Sequence, residues 1–428
     1  MFKHLSPQQQ FQKALSLWDE AMKAPFYRRR FPTTRPENAE AWQALPILKR
    51  LELFEHTYPR SKDMLTVPEE GFFISATSGT SGTARYVVCT HAEWEAFCAQ
   101  QARALRLMGV TPRDLVANVF EAGYLWPSFL AVHDIVKQLN ATHLPITSMI
   151  PPERILKYCR EFKPTVMLSI PTMFVFLADL ALKEGAPLEG LRLVAFAGEA
   201  MTEAQKAHIA RGLGATQFRA LAYSSADAGL MGYQCDHCQS GTYHVPTDFQ
   251  LIEIIDPLTG KACGPGEKGD LIVTNFAQKS MPIVRYEIGD LGTWVAEPCP
   301  CGDPNPRFEL LGRIGSDDFK LYATIIPMSV FERALEPFHE HVSLNFNLLV
   351  TPHESAVDLT LRVESADPEA AKAVIPAIVA RIRELDVVIN ASLEAGNLHA
   401  LTVQPVPLGT LERNPSTGKL IRLTDRRH

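Results

Sequence analysis

Ser75-Ala76-Thr77-Ser78-Gly79-Thr80-Ser81-Gly82-Thr83-Ala84-Arg85 alternates hydroxyl residues with small ones. An apolar run, Gly71-Phe72-Phe73-Ile74, precedes it and another, Tyr86-Val87-Val88-Cys89, follows. Gly79 and Gly82 tolerate positive φ and close approach, so the loop can turn its backbone N–H groups toward one point. Thr77, Ser78, Thr80, Ser81 and Thr83 add hydroxyls, and Arg85 adds a positive charge. This chemistry suits a polyphosphate. No Gly-Lys-Ser/Thr follows and both flanks read as strands, so the stretch is not a Walker loop. Taken alone, it reads equally well as a flexible Ser/Gly hairpin linker.

The whole chain has 428 residues, enough for two or three domains, with 46% hydrophobic and 21% charged residues. That is the composition of a globular protein with a large core. The net charge of -6, with no Lys/Arg stripe interleaved with aromatics, argues against nucleic acid or a membrane surface as partner. Met1 to Pro7 has no apolar segment behind its basic residue, and the longest uncharged run, Pro164 to Ala178, is too short to span a bilayer. The expected location is cytoplasmic.

Residues 1–60 read as helical, with apolar spacing from Gln8 to Met22 and again from Asn38 to Glu55. The basic, aromatic Pro25–Phe31 segment between them is expected to be a solvated connector. From 70 to 260, apolar runs at 115–120, 165–170 and 191–196 alternate with helical stretches such as Pro152–Phe162 and Thr202–Leu213. Alternation of this kind implies parallel strands with helices packed on them. After 245, strands at 250–255 and 270–274 separated by turn signals suggest a β-rich subdomain. Past a boundary near 312–320, strands at 342–350 and 357–363 and a helix opened by Asp367-Pro368 outline a small α/β module. Pro376 should kink that helix.

Of the eight cysteines, Cys89, Cys98, Cys159 and Cys263 stand singly. Cys235-Asp236-His237-Cys238 and Cys299-Pro300-Cys301 are close pairs, a metal pattern more than a disulfide framework.

Further motifs follow in order: Gly198-Glu199-Ala200, Tyr223-Ser224-Ser225-Ala226-Asp227, Arg285-Tyr286-Glu287-Ile288-Gly289-Asp290, Gly312-Arg313 and Lys419. With these spacings the chain resembles the adenylate-forming superfamily of acyl-CoA synthetases, adenylation domains and luciferases. Asp256-Pro257-Leu258-Thr259-Gly260, Met281-Pro282-Ile283-Val284-Arg285-Tyr286 and Pro298-Cys299-Pro300-Cys301-Gly302 are similar to its phenylacetate-CoA ligase branch. The resemblance spans roughly residues 10 to 425.

It implies an α/β fold: a large N-terminal domain over 1–315, with mainly parallel sheets and a β-rich subdomain, and a small mobile C-terminal α/β domain over 316–428. It further implies an acid–CoA ligase (AMP-forming) that turns a carboxylic acid, here an aromatic one, into an acyl-adenylate and then passes the acyl group to CoA. Thr77, Ser78, Gly79, Thr80, Ser81, Gly82, Thr83 and Arg85 would hold the ATP phosphates, with Arg85 where the family usually has Lys. Gly198, Glu199 and Ala200 would line the adenine with Tyr223 stacking on the base, Ser224 would be a further ATP-binding residue, Asp290 would accept from the ribose hydroxyls, and Arg313 would sit near the same sugar. Asp227, in place of the usual Glu, would help bind Mg²⁺, an ion that takes oxygen ligands. Lys419 would stabilise charge on the phosphoryl oxygens during adenylation.

The resemblance also implies a structural Zn²⁺ on Cys235, His244, Cys299 and Cys301, with Cys238 as the alternative to either of the first two. Phe120, Tyr124, Trp126 and Pro171 are the expected acid pocket, since aromatic walls suit an aryl ring. Ala226 lacks the hydroxyl usual before the acidic residue, and Tyr322 or Ala323 stands where a glycine commonly opens the thiol channel. Two alternatives therefore stay open: an adenylate-forming synthetase or carrier-protein acylase with another acceptor, and a non-catalytic nucleotide-binding homologue. The expected partners are a small-molecule acid and an acyl acceptor, with a homodimer left open.

Overall fold

The computed structural model describes residues 2–77, 85–238, 241–313, 318–321, 324–353, 356–415 and 417–427, and only the backbone of 313, 318–320, 324 and 325. The chain is a mixed α/β protein in two compact units. The first comprises Met1–Asn118, Ala122–Pro145 and Arg219–Ile314; the second comprises Val119–Glu121, Ile146–Phe218 and Gly315–His428.

In the first unit, strands Phe72–Ala76 and Tyr86–Thr90 pair antiparallel from Phe72↔Thr90 to Ala76↔Tyr86, which brings the two ends of the Ser/Gly stretch together. The Thr77 amide donates to the Arg85 carbonyl at 2.8 Å, and the Arg85 amide donates to Thr77 Oγ1 at 3.1 Å. Thr90 and Glu93 form a capping box that starts helix His91–Leu107. Strands Leu115–Asn118 and Thr142–Pro145 run parallel, joined through helix Ser128–Leu139. The β-rich part is a five-stranded antiparallel sheet ordered Thr242–His244, Arg307–Arg313, Ile283–Val295, Gly269–Asn275, Gln250–Ile255. It carries the 250–255 and 270–274 strands read from sequence.

Two expectations here need correction. Asn38 to Glu55 is two short helices, Ala39–Gln43 and Arg50–His56, because the intervening Leu48 backbone bridges to Tyr286 and exchanges hydrogen bonds with its neighbours Arg285 and Glu287. Pro25–Arg30 is a helix that buries Phe26 and Tyr27 rather than a solvated connector. The Tyr27 hydroxyl donates to the Pro282 carbonyl at 2.6 Å.

The second unit pairs strands Val166–Ser169 and Leu193–Phe196 in parallel, each buried throughout, with helix Pro171–Lys183 between them. Continuous apolar runs are what such doubly covered strands require. Helix Glu203–Leu213 packs on Pro171–Lys183 so closely that a Cβ at Gly212 would stand 2.6 Å from Ala178 Cα. The C-terminal part is a four-stranded sheet ordered Leu398–Pro407, Ala356–Ser365, Phe346–His353, Leu423–Asp425. Ile378 and Ile382, one turn apart, are the buried face of helix Ile375–Leu385. Pro376 does not kink this helix. It occupies the first turn, where its missing N–H costs nothing, after a separate short helix Pro368–Ala371.

Candidate active site and cysteine cluster

Each motif lies at the end of an element that can hold it. In the first unit, Tyr223–Ser225 pairs antiparallel with Gly229–Gly232, and the turn between them carries Asp227. Arg85, in the first position after the Ser/Gly stretch, points into this turn and donates from its guanidinium to Asp227 Oδ2 at 2.5 Å. Tyr286 donates its hydroxyl to the same oxygen at 3.2 Å. Arg85 is 8% exposed and Asp227 1%. Burial works against the guanidinium's charge, but the adjacent carboxylate outweighs it and holds the arginine above its ordinary pKa.

One Asp227 carboxylate oxygen is taken by a cation and a phenol, and the other lies buried with no hydrogen-bond partner among the described residues. In this structure Asp227 is the counter-charge of Arg85.

Tyr223 donates its hydroxyl to Asp290 Oδ2 at 2.5 Å, with its ring 5.7 Å from Tyr243 and 5.8 Å from Phe308. The expected base-stacking ring and the expected ribose carboxylate are therefore one hydrogen-bonded pair. Asp290 also faces Arg313 across the antiparallel ladder. Ser224 lies exposed on the short strand.

The second unit holds the other motifs. Gly198 follows strand Leu193–Phe196 at φ +83°, and the Lys419 ammonium donates to its carbonyl at 2.5 Å. A Cβ at Gly198 would stand 2.9 Å from Lys419 Cε, so only glycine leaves the lysine this seat. A tight turn presents Lys419: Thr417 and Gly418 donate their amides to the Asn414 carbonyl, and the Lys419 carbonyl accepts from the Asn414 amide. Glu121 lies against Gly418, where a Cβ would meet Glu121 Oε2 at 2.6 Å, and burial raises the pKa of this carboxyl. Glu199 accepts from the Thr172 amide at 3.1 Å at the start of helix Pro171–Lys183, a favourable place for a carboxylate. Ala200 is exposed.

The cysteine pairs meet in the first unit. One ligand atom from each of Cys235, His244, Cys299 and Cys301 lies within 4.8 Å of the others. Cys235 Sγ is 3.5 Å from Cys299 Sγ and 3.6 Å from Cys238 Sγ, and Cys301 Sγ is 3.6 Å from His244 Nε2. His244 Nδ1 lies 3.2 Å from the Asn305 carbonyl, which fixes the ring with Nε2 turned to the thiols. Burial holds this imidazole below the ordinary histidine pKa, against the pull of that carbonyl. Three thiols and an oriented imidazole fit a closed tetrahedral zinc site.

A family model described as AMP-binding enzyme matches residues 28–277. The chain belongs to this family. Two relatives place it on the phenylacetate-CoA ligase-like branch of the adenylate-forming superfamily. Phenylacetate-coenzyme A ligase of Thermus thermophilus is 28% identical over 81% of this chain and 78% of its own. Phenylacetate-coenzyme A ligase of Pseudomonas putida is 26% identical over 94% and 90%. The solved structure of 2-hydroxyisobutyryl-CoA ligase in the postadenylation state with 2-HIB-AMP shares the fold, with a TM-score of 0.80 over 98% of this chain and 89% of that one at 23% identity.

In this AMP-binding enzyme, Ser78, Gly79, Thr80, Ser81, Gly82 and Thr83 lie outside the described residues, as do Tyr322, Ala323 and the side chain of Arg313. Of the expected acid pocket, Phe120 and Pro171 are buried in the second unit. Tyr124 and Trp126 belong to the first unit, and Tyr124 is exposed at φ +51°. A small recess of about 70 Å³ in the first unit has other walls, among them Val87, Trp94, Phe97, Pro127 and Ala226. Sequence reasoning missed Tyr286 and Glu121 as neighbours of the motifs. The first stood inside a quoted motif; the second carries no local signal.

Proposed function

We propose that this AMP-binding enzyme is an acid–CoA ligase (AMP-forming) acting on an aromatic carboxylic acid. The observation that carries the reading is the Lys419 ammonium on the Gly198 carbonyl, because it brings the one lysine an adenylation step needs to the nucleotide motif within a single unit. The names of the phenylacetate-CoA ligase relatives support CoA as acceptor and an aryl or arylacetic acid as substrate.

In the first half-reaction, a carboxylate oxygen of the acid attacks the α-phosphorus of ATP, the bond to the β-phosphate oxygen breaks, and pyrophosphate leaves. Lys419 stabilises the charge that grows on the phosphoryl oxygens, more in the transition state than in the ground state. Asp290, positioned by Tyr223, accepts from the ribose hydroxyls, and Gly198, Glu199 and Ala200 border the adenine. Residues 77–83 hold the phosphates, and Arg85, tied to Asp227, closes the base of that loop. Mg²⁺, when bound with ATP, supplies charge neutralisation at the phosphate oxygens. In the second half-reaction the CoA sulfur attacks the acyl carbon, the carbon–oxygen bond to AMP breaks, and AMP and a proton leave. Domain 316–428 carries Lys419 away between the two. Cys235, His244, Cys299 and Cys301 would hold a Zn²⁺ with four protein ligands, and the ion would then supply a structural clamp on the fold.

Acid-dependent ATP–pyrophosphate exchange across a panel of aryl, arylacetic and short aliphatic acids tests the reading. Exchange with aryl acids, followed by thioester formation with CoA, is the expected result; no exchange with any acid overturns it.

A further inference from the structure

Helix Pro171–Lys183 has a side that the adenylation chemistry does not use. Thr172, Phe176 and Lys183, spaced by four and seven residues, lie along it. Each meets the C-terminal part of the same unit. The Thr172 carbonyl accepts from Asn345 Nδ2 at 3.2 Å, the Arg413 guanidinium lies 5.7 Å from the Phe176 ring centroid, and Lys183 donates to the Ala366 carbonyl at 3.3 Å. A Cβ at Gly409 would stand 2.9 Å from Phe176 Cζ, so the chain passes directly over the ring.

Asn345 joins this side of the helix to the arm that bears Lys419. Its Nδ2 also donates to Glu364 Oε2 at 3.4 Å, and its backbone carbonyl accepts from the Glu364 amide at 3.2 Å. Glu364, fully buried on strand Ala356–Ser365, accepts from the amides of Gly409 at 2.9 Å and Leu411 at 3.3 Å and sits 3.7 Å from Arg413. Arg413 pairs with Leu420 across the tight turn that presents Lys419. At the other end, the Thr172 amide donates to Glu199, the neighbour of Gly198, whose carbonyl seats the Lys419 ammonium. These contacts close a ring that runs from Gly198 and Glu199 through Thr172, Asn345 and Glu364 to the 409–419 arm and back to Gly198.

Asn345 is 1% exposed, and its Oδ1 is buried without a hydrogen-bond partner among the described residues. That orphan oxygen costs stability that an apolar residue of similar size would not lose. The amide nitrogen supplies two donors, one for each side of the ring. We infer that Asn345 is a positioning residue for Lys419: by tying Glu364 to the Thr172 carbonyl, it holds the 409–419 arm on helix Pro171–Lys183 and the ammonium at Gly198. The catalytic consequence rests on the ligase reading above. The bond to Thr172 breaks when domain 316–428 moves away, so Asn345 serves adenylation and not thioester formation.

Two measurements on the full-length protein decide this. In Lys183→Cys/Ala366→Cys, a short bismaleimide should join the two introduced cysteines, read by mass spectrometry as one cross-linked peptide pair. Adding Asn345→Leu should lower that yield several-fold. In the otherwise wild-type chain, Asn345→Leu should lower kcat of acid-dependent ATP–pyrophosphate exchange about tenfold or more with little change in KM for ATP. Thioester formation from supplied acyl-adenylate and CoA should stay within a few-fold of wild type. In the Lys419→Ala background Asn345→Leu should add no further loss of exchange. Asn345→Ser, too short to reach Thr172, should show the same split, and wild-type far-UV circular dichroism in either variant guards against misfolding. A cross-link yield unchanged by Asn345→Leu, equal loss of both half-reactions, or a further loss in Lys419→Ala overturns the inference. A wild type that exchanges no acid overturns the ligase reading alone, and the cross-link then decides whether Asn345 holds the arm.

Discussion

Arg85 and Asp227 are 142 residues apart in the chain and form a hydrogen-bonded ion pair of 2.5 Å in which neither side chain is more than 10% exposed. Buried pairs of this kind cost desolvation on both sides, so their value shows when one partner is removed. Arg85→Met leaves the Asp227 carboxylate buried beside a phenol, and Asp227→Leu leaves the guanidinium stranded. Each single variant should lose about 3–5 kcal/mol of stability, while Arg85→Met/Asp227→Leu should recover much of that loss. Urea denaturation of the four proteins measures the coupling; strictly additive single losses would show that the pair is not a unit.

What could be read from the sequence follows a simple division. Strands 166–169 and 193–196 were legible because a strand covered on both faces is one apolar run, and the meeting of the Cys235/Cys238 and Cys299/Cys301 pairs because closely spaced thiols signal a shared cluster. The Arg85–Asp227 pair was not legible, since two charges 142 residues apart carry no local signal, and resemblance suggested different partners for each. Pro376 shows the ambiguity of a proline inside an apolar period: the same residue breaks one helix or opens the next. The 38–55 segment had helical spacing throughout, yet Leu48 gives its backbone to Arg285 and Glu287, a tertiary choice that periodicity cannot report.

Lys419→Ala should lower acid-dependent ATP–pyrophosphate exchange at least a hundredfold, as expected for a group that stabilises charge mainly in the transition state. Thioester formation from supplied acyl-adenylate and CoA should stay within a few-fold of wild type. Gly198→Ala should reproduce the exchange defect in milder form, because its Cβ would stand 2.9 Å from Lys419 Cε. Equal loss of both half-reactions in Lys419→Ala would contradict a lysine that serves adenylation alone.

Protein purified without chelator should contain one tightly held zinc per chain at the cysteine cluster. Cys301→Ser and His244→Ala should each lose it and unfold several degrees lower, and exhaustive chelation of the wild type should give the same shift. Cys238→Ser should retain the metal, since His244 rather than Cys238 completes the set. Elemental analysis beside thermal unfolding reads both quantities, and a full zinc complement in Cys301→Ser would refute the assignment.

Arg285 makes the last prediction, because its motif looks catalytic and its contacts are structural. At φ +47° it is fully enclosed, donates from Nε to Glu253 at 3.1 Å and from Nη1 to the carbonyls of both Gln43 and Leu45. Burial raises the Glu253 pKa and Arg285 partly offsets this. Arg285→Met removes the offset, so the folded-state pKa of Glu253 should rise further above its unfolded value. The folded state then binds more protons than the unfolded one, and stability must fall as pH rises between the two pKa values. Below the ordinary glutamate value of 4.5 both states are protonated and this penalty vanishes. Denaturation of Arg285→Met from pH 4.5 upward should therefore show a steady loss of stability that the wild type shows less steeply. Adding Glu253→Gln should flatten it. A slope that survives in Arg285→Met/Glu253→Gln would assign the titration to another group.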